Sequence, residues 1–156
     1  MADVIVKKSL KEGKGVFAAR DFKKGEVVLK WDTSRKLTRE EIQKLPKDDQ
    51  NHTDYVGKGF YVLMQTPSKF VNHSCEPNTY VKNAQDIALR NITKGEEITT
   101  DYSINGVDDW ELKCNCGSKN CRKIVYGDFR KLDAKTRKKL TPYLEDWYKK
   151  EILSKN

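Results

Sequence analysis

The stretch KFVNHSCEPN, residues 69–78, sets a short apolar run against an amide, an imidazole and a thiol within one turn of chain. The protein has 156 residues but only two His and four Cys. Placing His73 and Cys75 two positions apart therefore concentrates scarce chemistry. Alone, His73 reads as a hydrogen-bonded core residue and Cys75 as a buried thiol. What Asn72, His73 and Cys75 mean depends on the partners they find elsewhere.

Cys75 finds partners in CNCGSKNC, where Cys114, Cys116 and Cys121 form a C-x-C-x4-C cluster. Cysteines at C-x-C spacing bridge each other badly, because a disulfide needs particular Cα separations and dihedrals. The same spacing suits two thiolates on one metal, with Gly117 letting the chain turn back to Cys121. A structural zinc takes four ligands in a tetrahedron. Three come from the cluster, and Cys75 is the one remaining thiol. Two alternatives stand beside this: His73 as fourth ligand with Cys75 merely buried, or four metal-free thiols. A shell filled by four thiolates leaves no position for an activated water, so such a zinc would be structural.

Bulk properties limit the rest. The length suits one domain with its own core, and 37% apolar with 35% charged residues describes a soluble chain. No apolar run approaches the roughly 20 residues of a membrane span, and MADVIVKKSLKEG has no apolar h-region. The expectation is a reducing compartment: cytoplasmic in a prokaryote, nuclear or chromatin-bound in a eukaryote or virus. No repeat at a fixed period is evident. The net charge of +8 sits mostly at the end, where residues 122–156 carry eleven Lys+Arg against five Asp+Glu. Such a tail either presents a solvated face or makes weak nucleic-acid contact.

Along the chain, DVIVKK, GVFAA and EVVLKW read as short strands separated by glycine turns. Thr38 and Glu41 form a capping box for a short helix that Pro46 stops. Residues 46–58 read as a polar loop. FYVLM is a buried strand, and IALRNITKGEEITTDY gives two more around TKGEE. Thr141 with Pro142 opens a helix whose stripe of Leu140, Tyr143, Leu144, Trp147, Tyr148 and Ile152 docks the tail on the body. Many short strands with few helices predict a mainly β, irregular domain with a small helical appendage.

Four pieces in this order, GKG with VFAARDFKKGEVV, FVNHSCEPNT, GEEITTDY and CNCGSKNC, resemble the SET-domain family of protein lysine methyltransferases. The likeness covers roughly residues 4–124 and looks most like the compact members of that family. It implies a SET-type fold in which Asn72–Cys75 threads beneath the loop around Tyr102 like a pseudoknot. It divides the chain into a SET domain (1–110), a post-SET zinc-binding segment (111–124) and a basic helical extension (125–156). It implies S-adenosylmethionine as methyl donor, bound by Gly13, Lys14, Gly15, Tyr61, Asn72, His73 and Asn115, with zinc on Cys75, Cys114, Cys116 and Cys121. Tyr102 would orient the target lysine of a protein substrate in a channel walled by Trp31 and Thr100. Relatives place Phe or Tyr at the position of Thr100 and Tyr at that of Trp31. The smaller threonine leaves room for more than one methyl group, and the tryptophan removes a hydroxyl from the wall. The alternative is a catalytically silent SET-like module that binds protein or nucleic acid through its basic tail. A zinc-finger nucleic-acid reader fits less well, because the finger is too short for a recognition helix.

Overall fold

The structure, a computed structural model, is described for residues 1–155. In chain order its elements are β1 (Val4–Lys8), β2 (Lys14–Ala18), β3 (Val27–Lys30), β4 (Lys36–Leu37), α1 (Arg39–Gln43), α2 (Lys47–Gln50), β5 (Thr53–Gly57) and β6 (Phe60–Leu63). They continue as β7 (Asn72–His73), β8 (Thr79–Val81), β9 (Gln85–Ala88), β10 (Glu97–Thr100), β11 (Val107–Lys113), β12 (Ile124–Asp128), α3 (Ala134–Leu140) and α4 (Asp146–Glu151). The expected mainly β architecture with a helical end is what forms.

Four small sheets share the strands: β1-β2-β10-β7, β3-β9-β8, β4-β6-β5 and the hairpin β11-β12. The first two close on a core of Val16, Ala18, Phe22, Val28, Val71 and Ile98, the third packs around Leu37, Ile42 and Tyr61, and the hairpin packs with the cysteines and against the C-terminal core. Strands β7 and β10 pair in parallel, Thr99 opposite Asn72 and Thr100 opposite His73. A parallel pair needs a crossover. The intervening chain supplies it, and Val71–Cys75 is thereby drawn under the end of β10.

A two-copy relation joins the first two sheets. Residues 18–26 (AARDFKKGE) and 88–96 (ALRNITKGE) match in sequence pattern. Phe22 and Ile92 exchange backbone N–H···O bonds of 2.8 Å in both directions. Asp21 accepts from the Lys94 amide at 2.7 Å while Asn91 accepts from the Lys24 amide at 3.0 Å. Arg20 pairs with Glu26, as Arg90 does with Glu96. Each turn reaches its next strand through a glycine in the left-handed region, Gly25 at φ +88° and Gly95 at φ +93°. The copies also share core positions, Ala18 with Ala88 and Phe22 with Ile92, but two copies make no periodic array.

The Thr38 capping box forms as its spacing predicts, with Glu41 N–H on the Thr38 side chain and the Glu41 carboxylate on the Thr38 amide. Residues 46–58 are not one loop. Pro46 starts α2, and TDYVG then pairs with β6, placing Tyr55 opposite Tyr61. Nor is the C-terminal stripe one helix. Asp133 caps α3, Thr141–Tyr143 form a 3-10 turn, and Leu144 is extended (φ −72°, ψ 147°) before α4 begins. The break lets Leu144 and Tyr148 enter one core with Phe129, Leu132 and Leu140. The Tyr148 hydroxyl donates to the Gly106 carbonyl at 2.8 Å and fixes the tail to the body. The expected docking therefore stands, by a different local path.

Leu144 is 0% exposed at that junction. Leu144→Ala should cost about 2–5 kcal/mol of stability, measured by urea unfolding of the whole chain.

Candidate active site

The site is built where β10 ends. Ser74 N–H donates to the Thr100 carbonyl at 2.9 Å, so the 72–75 segment stays locked beside Thr100, Asp101 and Tyr102. Asp101 is 2% exposed and receives both arms of the Arg122 guanidinium at 2.8 Å each. Such a fork-to-carboxylate pair is geometrically demanding and strong when desolvated. Arg122 also donates its backbone N–H to Cys75 Sγ at 3.3 Å. One residue therefore ties the cysteine cluster, the buried carboxylate and the end of β10 together.

His73 lies in the same network. The Tyr102 amide donates to His73 Nδ1 at 3.1 Å, and burial brings the imidazole down to about 4. A neutral ring that accepts at Nδ1 carries its proton on Nε2. Nε2 sits 3.4 Å from Cys75 Sγ and is thus a donor to sulfur. The Tyr102 hydroxyl donates to the Val71 carbonyl at 2.7 Å. Burial, with Asp54 as a further cause, pushes that hydroxyl well above its ordinary range. Tyr102 is a neutral phenol whose donor is engaged and whose oxygen accepts no hydrogen bond among the described residues.

Asn72 works on the glycine turn. Its side-chain amide donates to the Glu12 and Lys14 carbonyls at 3.1 and 3.0 Å and to Glu97 Oε1 at 2.8 Å. Glu97 also accepts from Ser9. A Cβ on Gly15 would fall 2.4 Å from that same Glu97 oxygen. Gly15 is required for this clamp to close, whereas Gly13 supplies the turn itself at φ +39°.

Two cavities meet at this floor. The larger, about 650 Å³, is lined by Gly13, Lys14, Trp31, Tyr55, Thr100 and Tyr102 among others. The smaller, about 100 Å³, is lined by Lys11, His73, Leu112, Asn115 and Val125. Glu12, Asn72 and Tyr102 line both. A volume of the larger size is that of ordinary small-ligand sites.

Behind the smaller cavity, one donor atom from each of Cys75, Cys114, Cys116 and Cys121 lies within 4.8 Å of the other three. Cys75 and Cys114 Sγ are 3.7 Å apart, and all four thiols are free. Zn–S bonds of about 2.3 Å in a tetrahedron put sulfurs about 3.8 Å apart, so the donor set fits one such ion. Burial pushes the Cys75 and Cys114 thiols up, a cost that a bound cation would reverse. Cys75 rather than His73 completes the set.

Residues 13–103, more than half of the chain, match the SET domain. This chain belongs to the SET domain family. It is 32% identical over 133 residues to the histone-lysine N-methyltransferase trithorax of Drosophila virilis, covering 72% of this chain and 3% of that protein. It is 33% identical over 143 residues to human histone-lysine N-methyltransferase 2B, covering 77% of this chain and 5% of that protein. The chain thus spans only a small part of these relatives' length. Among solved structures, it resembles a Plasmodium falciparum protein assigned as a histone methyltransferase. That match has a TM-score of 0.53 and 26% identity, and covers 64% of this chain and 92% of that one.

Within this SET domain, the residues expected to act together fall into three groups. Gly13, Lys14, Trp31, Thr100 and Tyr102 share the larger cavity, and Asn72, His73 and Asn115 share the smaller. Gly15 and Tyr61 stand apart. Gly15 backs the Asn72–Glu97 clamp, and Tyr61 packs with Leu37 and Ile42 while its hydroxyl reaches Arg39 and Asp108. Burial pushes Tyr61 up to about 12. Its strand neighbour Tyr55, 5.1 Å away ring to ring, is the tyrosine at the cavity. Tyr55 was hidden inside the presumed loop 46–58, although its T-D-Y-V-G setting carries β-type residues. Lys11, Leu112 and Arg122 had no motif to mark them. The hairpin β11-β12 holds the cysteine cluster between its strands and runs across both expected segment boundaries, at 110/111 and 124/125.

Arg122→Met leaves the buried Asp101 charge unpaired and should cost about 3–5 kcal/mol. Asp101→Asn in that background should recover part of the loss, which urea unfolding of the double-mutant cycle will measure.

Proposed function

We propose that this SET domain transfers methyl groups from S-adenosylmethionine to the ε-amine of a lysine in a protein substrate. The observation that carries this is that two cavities share Tyr102: one offers His73 and Asn115, the other an aromatic wall with Thr100. One floor can then serve two reactants from opposite sides. Gly13, Lys14, Asn72, His73 and Asn115 would hold the donor. When bound, S-adenosylmethionine supplies an electrophilic methyl on a positively charged sulfur.

The protein's own task is to present a neutral amine in line. A lysine of ordinary pKa near 10.4 loses its proton at pH 7.4 only at a cost on the order of 4 kcal/mol. A cavity walled by Trp31 and Tyr55 lowers that cost by desolvating the ammonium. Tyr102, held as a neutral phenol by its bond to Val71, is no general base. Its oxygen can accept an amine hydrogen and so aim the nitrogen lone pair at the methyl. The Asn72 clamp keeps the glycine turn at a fixed height beside it. Alignment and desolvation, rather than proton abstraction by a side chain, carry the rate.

The four-cysteine site would hold a structural zinc that fixes the β11-β12 hairpin behind the smaller cavity. Histones are the substrates named for the relatives, and a lysine of a histone or another chromatin-associated protein is the target we infer here, with a nuclear or chromatin setting where the host is eukaryotic.

Incubation with methyl-labelled S-adenosylmethionine and a host lysate should label one or a few proteins on lysine. Tyr102→Phe should lower the rate by about 10²-fold or more, the scale at which lost positioning acts, while thermal shift by S-adenosylhomocysteine persists. Mass spectrometry should find di- or trimethyl-lysine, and Thr100→Tyr should shift the product toward monomethyl. Purified protein should contain one zinc, and Cys121→Ser should abolish it by elemental analysis.

A further inference from the structure

Methyl transfer gives no role to the basic end of the chain. Residues 134–144, AKTRKKLTPYL, carry Lys135, Arg137, Lys138 and Lys139 and no acid. All four cations are exposed on α3, and none has an ion pair among the described residues. The acids of this end of the chain are matched elsewhere. Asp128 meets Arg130 at 2.7 Å, Asp146 meets Lys82 at 2.9 Å, and Glu151 accepts from the Lys58 amide at 2.9 Å. Asp133 is held by the Thr136 amide and hydroxyl at 2.9 and 2.6 Å, and Glu145 is buried against the backbone of Asn83 and Ala84.

At about 3.6 residues per turn, Lys135, Lys138 and Lys139 fall within roughly 100° of one another, on the side of α3 away from the buried Leu140. Like charges three and four residues apart repel and weaken a helix. The helix dipole favours the cations of the last turn but opposes Lys135 in the first. A bound polyanion turns this repulsion into attraction. The chemistry of the face narrows which polyanion. None of the exposed large apolar side chains lies on α3, whereas a protein partner needs apolar or aromatic anchors at the centre of its interface. Nor does α3 offer a ring on which an unpaired base could stack, as single strands require. Tyr143, the next aromatic along the chain, leans on Tyr80 at 5.3 Å. Lysine ammonium groups are compact point charges that suit phosphate oxygens, and duplex DNA presents about one phosphate charge per 1.7 Å of its axis.

We propose that the Lys135–Lys138–Lys139 face of α3 binds the phosphate backbone of duplex DNA. Phosphate contacts position a protein without reading bases, so this surface accepts any sequence. Leu140 anchors α3 in the core that also holds Tyr148, and the neighbouring Trp147 lines the larger cavity. A duplex on α3 is thereby carried by the same terminal unit that walls that cavity. Binding needs neither a methyl donor nor methyl transfer, so it stands or falls apart from that reading.

Fluorescein-tagged duplexes of about twenty base pairs, in two unrelated sequences, are titrated with the intact chain by polarisation between about 50 and 200 mM KCl. Three neutralised phosphates give a log–log salt slope of about −2.7, a loss of about 40-fold in affinity over that range, alike for both sequences. The triple variant Lys135→Gln, Lys138→Gln, Lys139→Gln should bring the slope above about −1, since each lysine carries about one unit of it. Glutamine keeps the helix propensity, and melting curves confirm folded protein. A control triple variant, Lys23→Gln, Lys24→Gln, Lys94→Gln, removes the same charge from exposed turn lysines and should leave the slope within about half a unit. No binding at millimolar protein, a slope near zero, or an equal loss in both triple variants overturns the surface. Tenfold tighter binding of polyglutamate, single-stranded DNA or duplex RNA than of duplex DNA also overturns it, the first in favour of an acidic protein partner.

Discussion

The buried pair of Arg122 with Asp101 is the constraint on which the site depends. Asp101 sits between the end of β10 and Tyr102, and Arg122 follows directly on Cys121. The guanidinium reaches back across the fold while its own amide touches Cys75 sulfur. Arg122 is the cation that meets Asp101 with both arms at that depth, so the hairpin carrying the cysteines and the strand leading to Tyr102 dock in one register. Hydrophobic burial brings the small sheets together, but it is non-directional. The ion pair supplies the direction.

Around that pair the polar network is arranged in layers. His73 is neutral, and its proton points to sulfur because Tyr102 occupies the other nitrogen. Asn72, next in line, spends its amide on the carbonyls of the glycine turn and on Glu97. The residues that motif reasoning would place against a ligand thus also hold one another. Their rigidity is what leaves two distinct cavities on either side of one phenol.

Much of this was legible in the sequence, and the failures have physical causes. Thr38 and Glu41 announced their helix because a capping box is local chemistry. NHSC and the cysteine cluster could be joined because a metal demands four ligands and only four thiols exist. Tyr61 was named where Tyr55 lines the cavity, since the polar residues around Tyr55 masked a strand held by pairing with β6 rather than by its own hydrophobicity. The single helix expected after Thr141 is split because Leu144 gains more from entering the core than from continuing the turn. The relation between residues 18–26 and 88–96 shows as no periodic pattern because it occurs only twice and its core pair, Phe22 and Ile92, differs in type.

Gly57 lies with its missing Cβ 3.1 Å from the Trp147 indole, and the amide of Lys58 donates to Glu151. The terminal helix is therefore pressed into the edge of β5 like plaster into a mould. Shortening the chain there would do more than loosen an end: it would recast the chamber next to Tyr55. Peripheral residues here shape the interior, and variation confined to α4 would still alter the wall of the larger cavity, which Trp147 lines.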